Sequence, residues 1–332
     1  MPRAPAFWDR PPGLTAGLLA PFAEIWEATG RLKHTLSRPY RSPVPVLCVG
    51  NLVAGGAGKT PVALSIAGRL IARGIGVHAL LRGYGGVLKG PVLVDPRRHD
   101  AAAAGDEALL YARAMPTWVA RDRAEGARAA RAAGARLILL DDGLQNPGIA
   151  KTLSLLVVDA AFGFGNGRVI PAGPLRESLK RGLRRVEAAV LIGDGPAPSE
   201  LPASLPILRA RLTPKRGKHF AGHAVVAFAG IGRPQKFFAT LEALGASLVK
   251  TRAFPDHHRY RPREIEALVR SASEVGAMVV TTAKDIVRVP LSLRDAIEVL
   301  EVEILWEDPA ALDRLLEPVL TASGADGSHS RG

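Results

Sequence analysis

The stretch Val46-Leu47-Cys48-Val49-Gly50-Asn51-Leu52-Val53-Ala54-Gly55-Gly56-Ala57-Gly58-Lys59-Thr60-Pro61 decides the fold. Val46–Val49 is a short apolar run with the length of a buried strand. A glycine-rich turn follows, and an apolar-periodic segment then runs from Pro61 to about Arg73. Proline is harmless in a first helical turn, where the missing N–H would have no partner anyway. Strand, glycine turn and helix in this order make a phosphate-binding loop. The glycines let backbone N–H groups face phosphate oxygens, and the helix N-terminus adds favourable potential. Val53, Ala54, Gly55, Gly56, Ala57, Gly58, Lys59 and Thr60 are therefore the predicted nucleotide contacts, with Lys59 on the terminal phosphates and the Thr60 hydroxyl on Mg²⁺. The strict pattern places glycine five residues before Gly58, where this chain has Val53.

Outward from the loop the same alternation continues. Val77–Leu81, Leu137–Leu140, Leu155–Val158 and Ala188–Ile192 read as strands, and 108–115 and 123–133 as helices. The pattern predicts an α/β fold, a P-loop NTPase-like, mostly parallel sheet flanked by helices. Asp141-Asp142 directly after an apolar strand would deliver carboxylates to Mg²⁺ beside the loop. Prolines at 196, 198, 202 and 206 suggest a boundary. Beyond them Ala224–Ala229 and Met278–Thr282, around a helix at 235–244, suggest a second, smaller α/β unit. The expected division is an N-terminal membrane-associating helix (1–42), a P-loop kinase domain (43–215), the smaller C-terminal unit (216–322) and a disordered tail (323–332).

The chain has 332 residues, 47% hydrophobic and 23% charged, enough for a packed core. Its formal net charge of +13 favours anionic partners. Aromatic content of 5% and the lack of a reading motif argue against nucleic acid. The single cysteine, Cys48, allows no intramolecular disulfide and fits a buried position in a reducing compartment. Near the N-terminus, Leu14, Leu18, Phe22, Ile25, Leu32 and Leu36 fall at helical spacing, followed by Arg31, Lys33, Arg38 and Arg41. Such a helix either lies in an anionic membrane surface or packs on the protein's own core. Pro21 and Glu24 interrupt the segment, which is too short to span a bilayer.

Guanine recognition would require Asn/Thr-Lys-x-Asp. Thr281-Thr282-Ala283-Lys284-Asp285 places the acid directly after the lysine, so ATP is the expected donor. A phosphotransferase also needs a group to receive the acceptor's proton. Arg82-Gly83-Tyr84-Gly85, Gly105-Asp106-Glu107 and Pro255-Asp256-His257-His258 could each supply one. Arg176, Lys180, Arg181, Arg184 and Arg185 have i, i+4, i+8 spacing, which would put five cations along one helical side. A nucleotide-hydrolysing switch or metallochaperone is the alternative class.

As an ordered set, these segments resemble the tetraacyldisaccharide 4'-kinases of lipid A synthesis. The resemblance rests on Val49–Pro61, Arg82-Gly83-Tyr84-Gly85-Gly86, Gly105-Asp106-Glu107, Asp141-Asp142-Gly143-Leu144-Gln145, Pro171–Glu177, Phe254-Pro255-Asp256-His257-His258 and Thr281–Asp285, over about residues 45 to 290. It implies transfer of the γ-phosphate of ATP, with Mg²⁺, to the 4'-hydroxyl of an acylated glucosamine disaccharide 1-phosphate. It implies an anionic glycolipid substrate and a peripheral enzyme on the cytoplasmic face of the inner membrane. It further implies Asp106 as base paired with His257, and Arg82, Gln145, Arg176 and Glu177 near the reacting groups. Leu81, Leu144, Asn146 and Ala283 depart from residues common in that family.

Overall fold

The computed structural model describes residues 5–55, 58–215 and 217–325; Gly56 and Ala57 of the predicted loop and 326–332 of the predicted tail lie outside the described residues. Strands β1 (Val46–Gly50), β2 (Val77–Leu81), β3 (Val92–Leu93), β4 (Thr117–Val119), β5 (Leu137–Asp141), β6 (Leu153–Asp159), β7 (Ala188–Ile192) and β8 (Ile207–Pro214) build most of a large sheet. Strands β9 (Ala224–Ala229), β10 (Ser247–Ala253), β11 (Met278–Thr282) and β12 (Glu298–Leu300) form a second sheet, and β13 (Val302–Trp306) returns to the first. The helices are α1 (Leu14–Leu36), α2 (Lys59–Ala72), α3 (Ala101–Ala104), α4 (Asp106–Ala112), α5 (Arg123–Ala132), α6 (Leu179–Leu183), α7 (Pro234–Ala243), α8 (Pro262–Ser273), α9 (Ala283–Ile286) and α10 (Pro309–Ala325).

The large sheet has the order β13-β8-β7-β6-β1-β5-β2-β4-β3, with only the edge strands β13 and β3 antiparallel. Every residue of β1, β2, β5 and β7 is buried, the mark of parallel strands covered on both faces. The small sheet, β10-β9-β11-β12, is parallel throughout. The α/β reading therefore holds for both units.

The chain's return to the large sheet changes the expected boundaries. Only Glu301 separates β12 from β13, and β13 pairs with β8 from Val302 opposite Pro214 to Trp306 opposite Ala210. Helix α10 then lies against α2: Asp313 accepts from Arg69 at 2.5 and 2.6 Å and pairs with Arg73 at 2.6 Å. Leu312, Leu316 and Val319 are wholly buried in the large core. Residues 302–322 thus extend the large unit rather than the small one, and 323–325 continue α10 instead of beginning a tail. Strand pairing across distant sequence, which no local pattern reports, is the reason.

Two local expectations also shift. Gly105 adopts φ +88° and separates α3 from α4, so the second helix starts at Asp106 rather than 108. The basic run 176–185 is helical only over Leu179–Leu183, so its cations do not share one helical side.

Candidate active site

The glycine loop leaves β1 at the carboxyl end of the sheet, where open α/β folds hold ligands. Gly55 and Gly58 take φ +119° and +78°. A Cβ on Gly58 would come within 2.6 Å of Ile192 Cδ1, which would have to move, but it is the left-handed backbone that favours glycine there. Lys59 opens α2 and donates to Asn51 Oδ1 at 3.0 Å, while Asn51 Nδ2 donates to the Gly55 carbonyl at 3.3 Å. The Ala54 N–H donates to the Pro174 carbonyl at 2.7 Å, and Val53 bridges Leu175. Val53 is buried, so the position that the strict pattern gives to glycine is here a packing position. Thr60, half-buried, is the second residue of α2.

Asp141 ends β5, paired in register with Val49. Its carboxyl is buried and Oδ1 has no hydrogen-bond partner among the described residues. Burial first, then the nearby Glu107 carboxylate, pushes its pKa up to about 7, against the opposing pull of Lys59. Asp142 follows in the left-handed region at φ 53°, its N–H donating to the Val49 carbonyl at 2.9 Å. Arg176 donates to Asp142 Oδ2 at 2.7 Å and Lys59 Nζ stands 3.7 Å from Oδ1. Burial raises its pKa, but Lys59 and Arg176 outweigh burial and hold it below the usual carboxylate range. The two neighbouring acids therefore meet opposite fields.

Mg²⁺ in phosphate sites uses one or two carboxylates, a hydroxyl, waters and phosphate oxygens rather than a full protein cage. The unpartnered oxygens of Asp141 and Asp142 beside the Lys59 loop fit that requirement. Among the described residues there is no group of three or more His, Cys, Asp or Glu that could hold a metal without such outside ligands.

Asp106 is buried at the start of α4, and its Oδ2 lies 2.9 Å from His257 Nδ1. The two come from different units and are 151 residues apart in sequence. His257 sits at φ 59°, with its N–H donating to the Gly230 carbonyl at 3.1 Å and to Asp256 Oδ1 at 3.0 Å. Its neighbour His258 instead meets Glu264 at 3.0 Å and stacks on Phe254 at 4.6 Å between centroids. The Asp106 carboxyl is pushed up by burial, but the His257 hydrogen bond and the charges of Lys284 and Arg288 pull it below its ordinary value. Lys284 also pairs with Glu107 at 3.3 Å.

The other sequence-predicted polar residues divide into two groups. Arg82 is exposed just after β2, and Tyr84 of the same loop places its ring 6.1 Å from that of His257. Burial and the adjacent Arg82 charge lower the pKa of the buried Arg123 to about 10. Gln145 lies under the loop, donating to the Asn51 carbonyl and to Glu177 Oε1, each at 3.1 Å. Glu177 is buried, hydrogen-bonded to Arg185 and 3.7 Å from Arg181. Sequence reasoning gave no role to Asn51, Lys284 or Arg288. The first two lie within quoted motifs; Arg288 carries no local signal.

Helix α1 presents two stripes. Ala16 and Ala23 are buried, and the same side continues with Glu27 bonded to Ser178, the Gly30 carbonyl accepting from Arg181 at 2.9 Å, and His34 facing Arg185 at 2.9 Å. On the opposite side Leu14, Leu18, Phe22, Ile25, Leu32 and Leu36 are between 59 and 90% exposed. Trp26, half exposed, donates to the Arg176 carbonyl at 2.9 Å. The apolar stripe thus does not pack on the described core. No described helix is long and apolar enough to cross a membrane.

The family model LpxK, tetraacyldisaccharide-1-P 4'-kinase, matches residues 15–321. A tetraacyldisaccharide 4'-kinase of Rhodospirillum centenum is 55% identical, covering 98% of this chain and 99% of its own length. One of Gluconacetobacter diazotrophicus is 52% identical over 95% of this chain and 97% of its own. The crystal structure of LpxK from Aquifex aeolicus in complex with ATP superposes with a TM-score of 0.76 at 26% identity, over 92% of this chain and 99% of that one.

Proposed function

The chain belongs to the tetraacyldisaccharide 4'-kinase family, and from that premise we propose that it transfers the γ-phosphate of ATP to the 4'-hydroxyl of a tetraacyldisaccharide 1-phosphate. This is a late step of lipid A biosynthesis. The observation that carries the reading is the Asp106–His257 pair, whose neighbour Glu107 acts on Asp141 together with the loop's Lys59.

In the proposed reaction the acceptor O–H bond breaks, its proton passes to the Asp106 carboxylate, and the freed oxygen bonds the γ-phosphorus as the bond to the leaving β-phosphate oxygen opens, yielding ADP. His257 holds the carboxylate by its Nδ1 contact, with its other nitrogen 3.9 Å from Asp256 Oδ2. Val53–Thr60 cradle the phosphates, and Lys59 offsets their charge. Asp141, Asp142 and Thr60 would hold Mg²⁺, which when bound draws negative charge off the phosphate oxygens. Arg82, an exposed cation with no ion-pair partner among the described residues, would meet the anionic acceptor. Arg176 would act from its pairing with Asp142. Gln145 and Glu177 would steady the loop and the α1 contact from beneath.

The exposed stripe of α1, with exposed Arg31, Lys33, Arg38 and Arg41 after it, supports peripheral attachment to an anionic surface, the cytoplasmic face of the inner membrane. Deleting residues 1–40 is then expected to weaken co-sedimentation with anionic vesicles, and unchanged co-sedimentation would refute the attachment. The chemistry is tested with purified protein, Mg-ATP and the disaccharide lipid in detergent. Lys59→Ala is expected to abolish lipid phosphorylation and Asp106→Ala to slow it by roughly 10²–10⁴-fold. ATP turnover without lipid phosphorylation would instead favour a switch or metallochaperone.

A further inference from the structure

Arg288 follows α9 in the small unit and is one of the most deeply buried cations in the chain. All three of its side-chain nitrogens are engaged. Nε donates to the Lys284 carbonyl at 3.2 Å, and NH2 to Asp285 Oδ1 at 2.9 Å. NH1 reaches the Gly230 carbonyl at 3.0 Å and the His258 carbonyl at 3.3 Å. Both carbonyls belong to the setting of His257, since Gly230 O also accepts from the His257 N–H and residue 258 is its direct neighbour. The same guanidinium stands 3.6 Å from Asp106 Oδ2, across the boundary between the units.

We propose that Arg288 is a positioning residue for the Asp106–His257 pair, clamping the histidine-bearing turn while its charge fixes the carboxylate opposite. The proposal rests on the reading of Asp106 as the proton acceptor. The geometry of the turn requires such a clamp. His257 occupies the left-handed region, which a residue with a Cβ leaves readily unless its surroundings hold it. The two carbonyls flanking the turn converge on NH1 while Nε and NH2 hold the Lys284 carbonyl and Asp285 Oδ1, a planar three-nitrogen arrangement that a lysine cannot reproduce. Arg288 is held in turn: Asp285 Oδ1 receives the Gly230 N–H at 2.9 Å and the Tyr260 hydroxyl at 2.6 Å, and Oδ2 receives the Thr282 hydroxyl at 2.6 Å. Asp285 is fully buried, so Arg288 also compensates its charge.

The charged and titratable groups around Asp106 are His257 and Asp256 from the turn, Lys284 on α9, Arg288 after it and Glu107 beside it on α4. The cations keep the carboxylate ionised. Removing one raises the pH below which it protonates, so the acid limb of the rate profile moves upward.

The test uses full-length Arg288→Gln, Arg288→Lys and Asp106→Asn, assayed with Mg-ATP and the disaccharide lipid in detergent across about pH 5 to 9. Arg288→Gln is expected to lower kcat roughly 10- to 100-fold, leave the ATP KM within about twofold, and move the acid limb of kcat up by about one pH unit. Arg288→Lys keeps the charge but not the fork. Its acid limb stays in place while kcat falls about tenfold. Should Arg288→Gln fail to show a cooperative melt, Arg288→Lys decides, and a wild-type kcat there overturns the proposal. A folded Arg288→Gln with wild-type kcat and an unmoved acid limb, beside a slow Asp106→Asn, overturns the role of Arg288 alone. Wild-type turnover by Asp106→Asn overturns the base assignment and the clamp together.

Discussion

Asp141 and Asp142 are consecutive carboxylates under opposite fields, and the difference is measurable. In the metal-free protein the Asp141 pKa is pushed up to about 7 by burial and by Glu107. The unfolded chain releases that proton near pH 4, so between about pH 4 and 7 the native state binds the extra proton and stability falls as pH rises. Above pH 7 the buried charge is a full cost; below pH 4 it is none. Asp141→Asn is therefore expected to raise the melting temperature more at pH 8 than at pH 5, while phosphate transfer is lost. An equal shift at both pH values would mean that Asp141 is ionised throughout. At this scale the placement of the loop lysine, the paired aspartates and Asp106 was legible, because each is bound to a local pattern of strand end, glycine turn or helix start. The choice of His257 over His258 was indicated by the family resemblance alone, not by any local pattern. It depends on a left-handed backbone at 257 that turns one imidazole toward Asp106 and leaves the other on Phe254 and Glu264. Arg288 was invisible for the same reason, since its partners are carbonyls whose positions only the folded chain defines.

Helix α1 shows how far periodicity reaches. The spacing of Leu14, Leu18, Phe22 and Ile25 gave the helix and its greasy stripe, but an apolar stripe looks the same whether it faces a core or a membrane. The opposite stripe shows which side meets the protein. Ala16, Ala23, Glu27, Gly30 and His34 all engage the protein, with Glu27, Gly30 and His34 bound to Ser178, Arg181 and Arg185. The basic run that looked like one cationic helix face is thereby partly the dock for α1, and Glu177 takes up Arg185 as well. Burial and the Arg185 charge lower the His34 pKa to about 4, so the imidazole is neutral at pH 7 and can accept from that guanidinium. Because the helix is held by its polar stripe, its apolar stripe is open to substitution without unfolding the body. Leu18→Ser with Phe22→Ser is expected to weaken partitioning onto anionic vesicles by at least about tenfold, with the melting temperature and detergent-based turnover little changed. A large drop in melting temperature would show that the stripe covers protein instead.

The molecule as a whole is two parallel sheets whose covalent order and spatial order differ. The chain leaves the large sheet after β8, builds the small unit, and comes back at β13 with Glu301 as the sole residue between the two sheets. On the outgoing side the Lys215 N–H donates to the Glu301 carbonyl at 2.8 Å, so both crossings are tied together. The small unit is thus an insertion into the large one, held at a paired joint, and its contribution to the site is the His257 turn with Lys284 and Arg288. Hydrophobic patterning recognised both α/β units but ended the small one some twenty residues too late, because an antiparallel edge strand has no signature of its partner. This topology makes a specific claim about α10. Leu316, 270 residues after β1 begins at Val46 yet wholly buried in the large core, should support the nucleotide half of the protein. Leu316→Ala is expected to destabilise by about 2–5 kcal/mol. The damage should appear in hydrogen exchange as lost protection of α2 and β6, elements that α10 overlies, while β9 and β11 keep theirs. Selective loss in β9 and β11 would instead assign α10 to the small unit. Trp306 at the end of β13 supplies an independent readout beside that contact, since its indole N–H donates to Ser65 of α2 at 3.0 Å, and its fluorescence should shift if loosening of α10 reaches α2. Anchoring the loop-bearing helix from the far end of the chain means that α2 gains its last contacts only from sequence that lies beyond the whole segment carrying His257.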